Sequence, residues 1–210
     1  MKVIFLHGIG QMANSWNHVR GELIDYPSEA PELFENGILP PTFSVTKTQM
    51  LERLRKEDED FILVGLSLGG TLALALSEQW LPHLKGLVIS AGQYDLKHHR
   101  LYSLQIAITK LIPAGVFKKH GMDKKNLVHF LQSMKTLDLT DGLSSIHLPV
   151  RVVCGSKDRV NLATSQQLAN LLPQVTFSVV PDGGHQLNID QPERFAAIVK
   201  DFLTHSFEKK

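Results

Sequence analysis

At 210 residues the chain is long enough for one α/β domain, which at this size buries roughly 70% of its unfolded surface. A 43% hydrophobic and 20% charged composition is that of an ordinary globular chain, and a net charge of +1 from 22 bases and 21 acids gives no global field to attract nucleic acid or an anionic membrane. The single cysteine, Cys154, excludes an internal disulfide and a thiolate metal cluster, and the amino-terminal apolar run Val3–Leu6 is too short for a signal peptide or a membrane span, so a cytoplasmic protein without membrane insertion is expected.

Val3–Leu6 is a continuous apolar run that stops at His7-Gly8, the pattern of a strand buried on both faces of a parallel sheet. The stretch Pro27–Pro41, with four prolines and little periodicity, reads as a loop. A helical pattern over Val45–Arg55 precedes the apolar run Phe61–Val64, which stops at Gly65, and a helix over Leu68–Gln79 precedes Leu87–Ile89, which stops at Ser90-Ala91-Gly92. Farther on, Val150–Cys154 stops at Gly155, a helix covers Leu162–Leu172, and the more alternating run Thr176–Val180 stops at Pro181-Asp182-Gly183-Gly184. A last helix over Pro192–Thr204 opens on a proline suited to a first helical turn. This alternation predicts an α/β fold, a mostly parallel sheet flanked by helices and joined by right-handed crossovers.

The segment 93–147 interrupts the alternation. It carries helical stretches over Leu101–Ile112 and Lys125–Met134 around a turn at Pro113-Ala114-Gly115, with no strand, and reads as a helical insertion in a single domain spanning 1–210. Eight bases (Lys97, Arg100, Lys110, Lys118, Lys119, Lys124, Lys125 and Lys135) face four acids there. Either these bases line a pocket mouth and steer anionic substrates, or they form a solvated outer face while Leu101, Leu104, Ile108 and Leu111 cover an apolar acyl pocket.

Gly65-Leu66-Ser67-Leu68-Gly69 is a G-x-S-x-G pattern between an apolar strand and an apolar helix. A serine on so sharp a turn needs neighbours without side chains, which Gly65, Gly69 and Gly70 provide; a glycine-rich turn with a capping serine is the plain alternative. A serine hydroxyl is a poor nucleophile at neutral pH and needs a base. In the chain order that goes with this elbow, acid and then histidine follow the serine, which selects Asp158 in Gly155-Ser156-Lys157-Asp158 and His185 in Gly183-Gly184-His185. Both lie in loops after parallel strands, the edge where such sheets place their sites. Asp182 is the reserve acid, and Asp190 is too close in sequence to turn back on the ring. His98, His99 and His120 read as surface histidines and His205 as a residue near the terminus, while His7, directly after a buried strand, reads as a brace for its loop. The oxyanion of a tetrahedral intermediate would be met by the backbone N–H groups of Leu68 and Ile9. No H-E-x-x-H or paired C-x-x-C spacing occurs, so neither metal nor organic cofactor is expected.

From His7-Gly8-Ile9-Gly10 through Gly65–Gly70 to the Asp158 and His185 loops, the chain resembles the α/β-hydrolase-fold superfamily. It is similar to its small carboxylesterases and related acyl hydrolases. The resemblance implies that these positions are oxyanion loop, nucleophile, acid and base, that 93–147 is a cap over the active site, and that the substrate is a small-molecule acyl ester. It also implies a sheet shortened at the amino terminus, because the first two of the usual eight strands have no counterpart. The D-x-x-G-x-G loop common after the next strand is replaced by Asp25-Tyr26-Pro27-Ser28. A thioesterase or acyltransferase using the same triad, and a non-catalytic ligand-binding protein of the same fold, are the alternatives.

Overall fold

The computed structural model describes residues 1–34, 38–118 and 122–207, with all of their side chains except those of 100 and 101. Its six strands are β1 (Lys2–Leu6), β2 (Ser28–Glu29), β3 (Phe61–Leu66), β4 (Leu84–Ser90), β5 (Val150–Gly155) and β6 (Val175–Val180), in one sheet ordered β2-β1-β3-β4-β5-β6. Every pairing is parallel, as the apolar runs predict. The chain leaves β1 for β2 on one side and returns to β3 on the other. That change of direction makes the carboxyl ends of β1 and β3 the topological switch point, where open α/β sheets bind ligands.

Alternate residues of each strand enter two separate cores, as a period-2 element buried on both faces requires. Val3, Phe5, Ile62, Val64 and Val88 pack with Trp16, Val19 and Leu23 at α1 (Asn17–Glu22), and with Phe195, Val199 and Phe202 of α10 (Pro192–Phe207). Ile4, Leu6, Leu63, Leu87 and Val152 pack on the other face against α2 (Phe43–Leu54), α3 (Leu68–Ser77) and α8 (Arg159–Leu171). The sequence expectation did not include α1 or the edge strand β2, which lies within the stretch read as a loop. Strand β2 is held through its backbone, Val3 N–H donating to Pro27 O at 2.8 Å, so no hydrophobic pattern announces it.

Between β4 and β5 the chain forms α4 (Arg100–Leu111), α5 (Ala114–Lys118), α6 (Lys124–Ser133) and α7 (Thr140–Leu143). The turn at Pro113 leads straight into α5. The two ends of this segment are tied by an Asp95–Asp138 bridge and by Leu139 N–H donating to Tyr94 O at 2.8 Å. On α4 the buried stripe is Tyr102, Ile106 and Thr109. Leu104, Ile108 and Leu111, which one of the two readings set over an acyl pocket, point outward instead, with Leu111 82% exposed; the side chain of Leu101 lies outside the described residues, as do Lys119 and His120.

Close backbone approach explains the glycine at position 69. Its first-turn position brings α3 onto β1 so tightly that an added Cβ would land on the Leu6 carbonyl. Gly69→Ala is expected to destabilise the fold by roughly 3 kcal/mol or more, lowering Tm by about 6 to 12 °C in a thermal melt. Gly21→Ala meets nothing in α1 and is expected to raise stability by about 0.5 to 1 kcal/mol. Equal effects of the two substitutions would contradict this packing.

Candidate active site

Strand β3 ends at Leu66 and α3 begins at Leu68, leaving Ser67 alone to turn the chain, with φ 54° and ψ −114°. A non-glycine residue at positive φ is strained, and such strain persists only where the surroundings hold it. Here Ser67 N–H donates to Ser90 O at 2.8 Å, continuing the β3–β4 ladder, and Thr71 N–H donates to Ser67 O at 2.9 Å, starting the helix. The hydroxyl is thereby presented at the carboxyl end of the sheet.

Ser67 lines a cavity of about 440 Å³. Its walls include Ile9 from the loop after β1, Leu68 and Thr71 from α3, Leu96, Tyr102, Leu131 and Met134 from the segment between β4 and β5, and Asp158 and His185 from the loops after β5 and β6. All five residues singled out in the sequence, Ser67, Asp158, His185, Ile9 and Leu68, are therefore brought to one cavity. His185 Nδ1 lies 2.7 Å from Asp158 Oδ2, which fixes that nitrogen as the N–H donor and leaves Nε2 for proton transfer. The Asp158 side chain is only 6% exposed. Burial alone would raise its carboxyl, but hydrogen bonds from His185 and Asn161 outweigh that and hold it below the usual carboxylate range. Asp182 takes no part: it pairs with Lys157 at 3.1 Å on the surface.

The loop after β1 is braced from two sides. His7, fully buried, donates from Nδ1 to Gly8 O at 3.0 Å and accepts from Leu33 N–H at Nε2, 3.1 Å away. Burial pushes its imidazole below the ordinary histidine range, so the neutral ring that this pairing requires is the favoured form. Gly8 N–H donates to Gln11 Oε1, and Gln11 Nε2 donates to the buried Asn188 Oδ1 at 3.1 Å, linking the loop after β1 to α9 (Leu187–Asp190), just past His185.

Other sequence expectations need correction. His99 is not a surface residue: it lines the cavity, and its Nδ1 is buried without a hydrogen-bond partner among the described residues. His98 is exposed and forms an ion-pair knot with Asp95 at 3.0 Å and Asp138 at 3.7 Å, the described cluster whose ligand atoms lie close enough to hold a metal ion. The described lysines of 93–147 are absent from the cavity lining, and all but the half-buried Lys124 are exposed, which answers to the solvated outer face. Cys154 is buried, and burial pushes its thiol up to about 11, so it is a protonated core residue. Sequence reasoning missed Asn161, Gln93, Gln11 and Asn188. Asn161 alone left a signal, lying three residues after the acid in the first turn of a helix.

Residues 3–198 match the family model described as the alpha/beta hydrolase family. The chain belongs to that family. Among curated relatives it resembles RutD of Escherichia coli (strain K12 / DH10B), named for a proposed carbamate hydrolase activity, at 36% identity over 85 residues, 40% of this chain and 32% of RutD. The matched part thus spans about a third of the relative's length. Among solved structures, an esterase from Thermogutta terrifontis superposes with a TM-score of 0.76 at 22% identity, over 98% of this chain and 90% of that one. MenH from S. aureus superposes with a TM-score of 0.80 at 16% identity, over 98% and 94%. A lipase-esterase related protein from Clostridium acetobutylicum ATCC 824 gives 0.79 at 18% identity, over 96% and 93%. At these identities the superpositions establish the fold. Among the described residues of this alpha/beta hydrolase, no helix is long and apolar enough to cross a membrane.

Proposed function

We propose that this chain is a serine hydrolase that cleaves carboxylic esters through an acyl-enzyme on Ser67. One observation carries the reading: the His185–Asp158 pair, 2.7 Å apart, borders the same cavity into which a strained turn sets Ser67. Ser67 Oγ attacks the ester carbonyl carbon while His185 Nε2 takes its proton, and Asp158 stabilises the imidazolium. The backbone N–H groups of Ile9 and Leu68 receive the oxyanion. On collapse the carbon–oxygen bond to the alcohol breaks and His185 returns the proton to it. Water, deprotonated by the same histidine, then releases the acid and restores Ser67.

The cavity suits an uncharged acyl group. Leu96, Leu131 and Met134 supply apolar wall, and among the described residues no lysine or arginine lines it. A panel of p-nitrophenyl esters of increasing chain length, run beside acyl-CoA thioesters, tests the reaction class. The account expects turnover of short to medium esters at higher kcat/KM than of matched thioesters; faster thioester cleavage would favour the thioesterase reading.

Hydrolysis requires neutral His185, whereas Asp158 stays ionised down through the carboxylate range. With a neutral ester, kcat/KM is therefore expected to rise with pH through a single ionisation, with a limiting slope of one on its acid side, and then to level off, with no second carboxylate limb. A flat profile with acylation rate-limiting would contradict a histidine base.

A further inference from the structure

The Asp158 carboxylate has a partner besides His185. Asn161 Nδ2 lies 2.8 Å from Asp158 Oδ1 and 2.9 Å from Oδ2, and 3.2 Å from His185 Nδ1. The carboxylate fixes the orientation of the amide, since only Nδ2 can donate to it. Oδ1 of Asn161 is then turned to accept from Gln93 Nε2 at 2.7 Å. Gln93 stands where the chain leaves β4, its own N–H donating to Thr71 Oγ1 at 2.9 Å, and Thr71 Oγ1 in turn donates to Ser67 O at 3.2 Å. Hydrogen bonds thus run from the nucleophile's own turn, through Gln93 and Asn161, to the acid. The arrangement leaves Gln93 Oε1 buried without a hydrogen-bond partner among the described residues, a cost that packing alone does not require.

We infer that Asn161 is a positioning residue, held by Gln93, that locks the Asp158 carboxylate in the plane from which it orients His185. The inference rests on the proposed serine hydrolase reading and adds a residue to its machinery. Two physical effects follow. Without the amide, the Asp158 carboxylate keeps His185 and the Asn161 backbone N–H but loses the side-chain bond at Oδ1 and gains rotational freedom, so fewer molecules hold His185 in productive geometry. The carboxylate also keeps the charge it had shared with the amide, which favours the imidazolium. Other titratable groups close by leave these effects readable: Cys154 is neutral, Lys157 is paired with Asp182 at 3.1 Å, and Asp190 lies against Gly184.

The test compares wild type, Asn161→Ala, Asn161→Leu, Gln93→Leu and the Gln93→Leu/Asn161→Leu double variant on p-nitrophenyl acetate, with thermal melts confirming folding. Both Asn161 variants should lose roughly tenfold to a hundredfold in kcat, the effect of removing one charge-assisted hydrogen bond, with KM within about twofold. The acid limb of the rate profile should move to higher pH. Gln93→Leu should shift both quantities the same way by less, and the double variant should be no worse than Asn161→Leu. Recovery of wild-type kcat by the volume-filling leucine, an unmoved acid limb, or additivity in the double variant would overturn the inference. The same displacement can be read without substrate by NMR titration of the His185 ring. A wild-type chain that hydrolyses no ester thus contradicts the proposed function, while the titration still decides the role of Asn161. Should Asn161→Leu fail to fold, Gln93→Leu carries the test.

Discussion

Ser67→Ala is expected to lower kcat for ester hydrolysis by at least about 10³-fold while leaving the fold intact. The substitution deletes one oxygen, keeps the Cβ and disturbs no hydrogen bond that holds the turn, because those bonds come from the Ser67 backbone. The strain of the positive φ, 54°, is unchanged by alanine. Ser67→Gly should remove it, raising stability by about 1 kcal/mol while abolishing hydrolysis just as fully. Opposite movement of stability and activity at one residue is the signature of a turn kept for its chemistry. The measurements are kcat with a p-nitrophenyl ester and Tm for both variants. Activity within about tenfold of wild type in either variant would remove Ser67 from the mechanism.

Asp158→Asn should have the next largest effect, a fall in kcat on the order of 10⁴-fold. An amide at 158 cannot balance the imidazolium charge, and its N–H group turned toward His185 Nδ1 would hold the ring in the tautomer with a protonated Nε2, unable to accept the serine proton. Asn161 sharpens the effect, because its Nδ2 requires acceptors at 158 and would compete for the one remaining oxygen. Asp182→Asn, by contrast, breaks only an exposed pair with Lys157 and should change kcat by less than about twofold. A crippling Asp182→Asn beside a mild Asp158→Asn would exchange the roles of the two acids.

Much of the framework was legible because a parallel sheet buried on both faces writes itself as short apolar runs: Val3–Leu6 and Phe61–Val64 needed no partner to be recognised. The unread parts have physical reasons. Strand β2 is two polar residues on a sheet edge, and α1 buries little beyond Val19 through its own span. Helix α8 begins at Arg159 rather than Leu162, since its first turn, with Val160 and Asn161, faces the cavity and so lacks the core-facing periodicity. On α4 the stripe read from the sequence, with Leu104, Ile108 and Leu111, is the outer one, because packing against α6, where Tyr102 OH donates to Leu131 O at 2.8 Å, turns the other side inward. The convergence of Ser67, Asp158 and His185 on one cavity could be read from loop position and chain order. Their supports could not: Gln93 and Asn161 are 68 residues apart, and Gln11 and Asn188 are 177 apart, pairings that only the fold creates.

The central claim is that Ser67 is activated by His185. Incubation with a fluorophosphonate followed by intact-protein mass measurement and peptide mapping tests it without knowledge of the natural substrate, since the reagent reacts rapidly only with an activated serine. The account predicts one adduct per chain, on Ser67, absent in Ser67→Ala and formed far more slowly in His185→Ala. An unlabelled wild-type chain, or one labelled equally fast after His185→Ala, would contradict it.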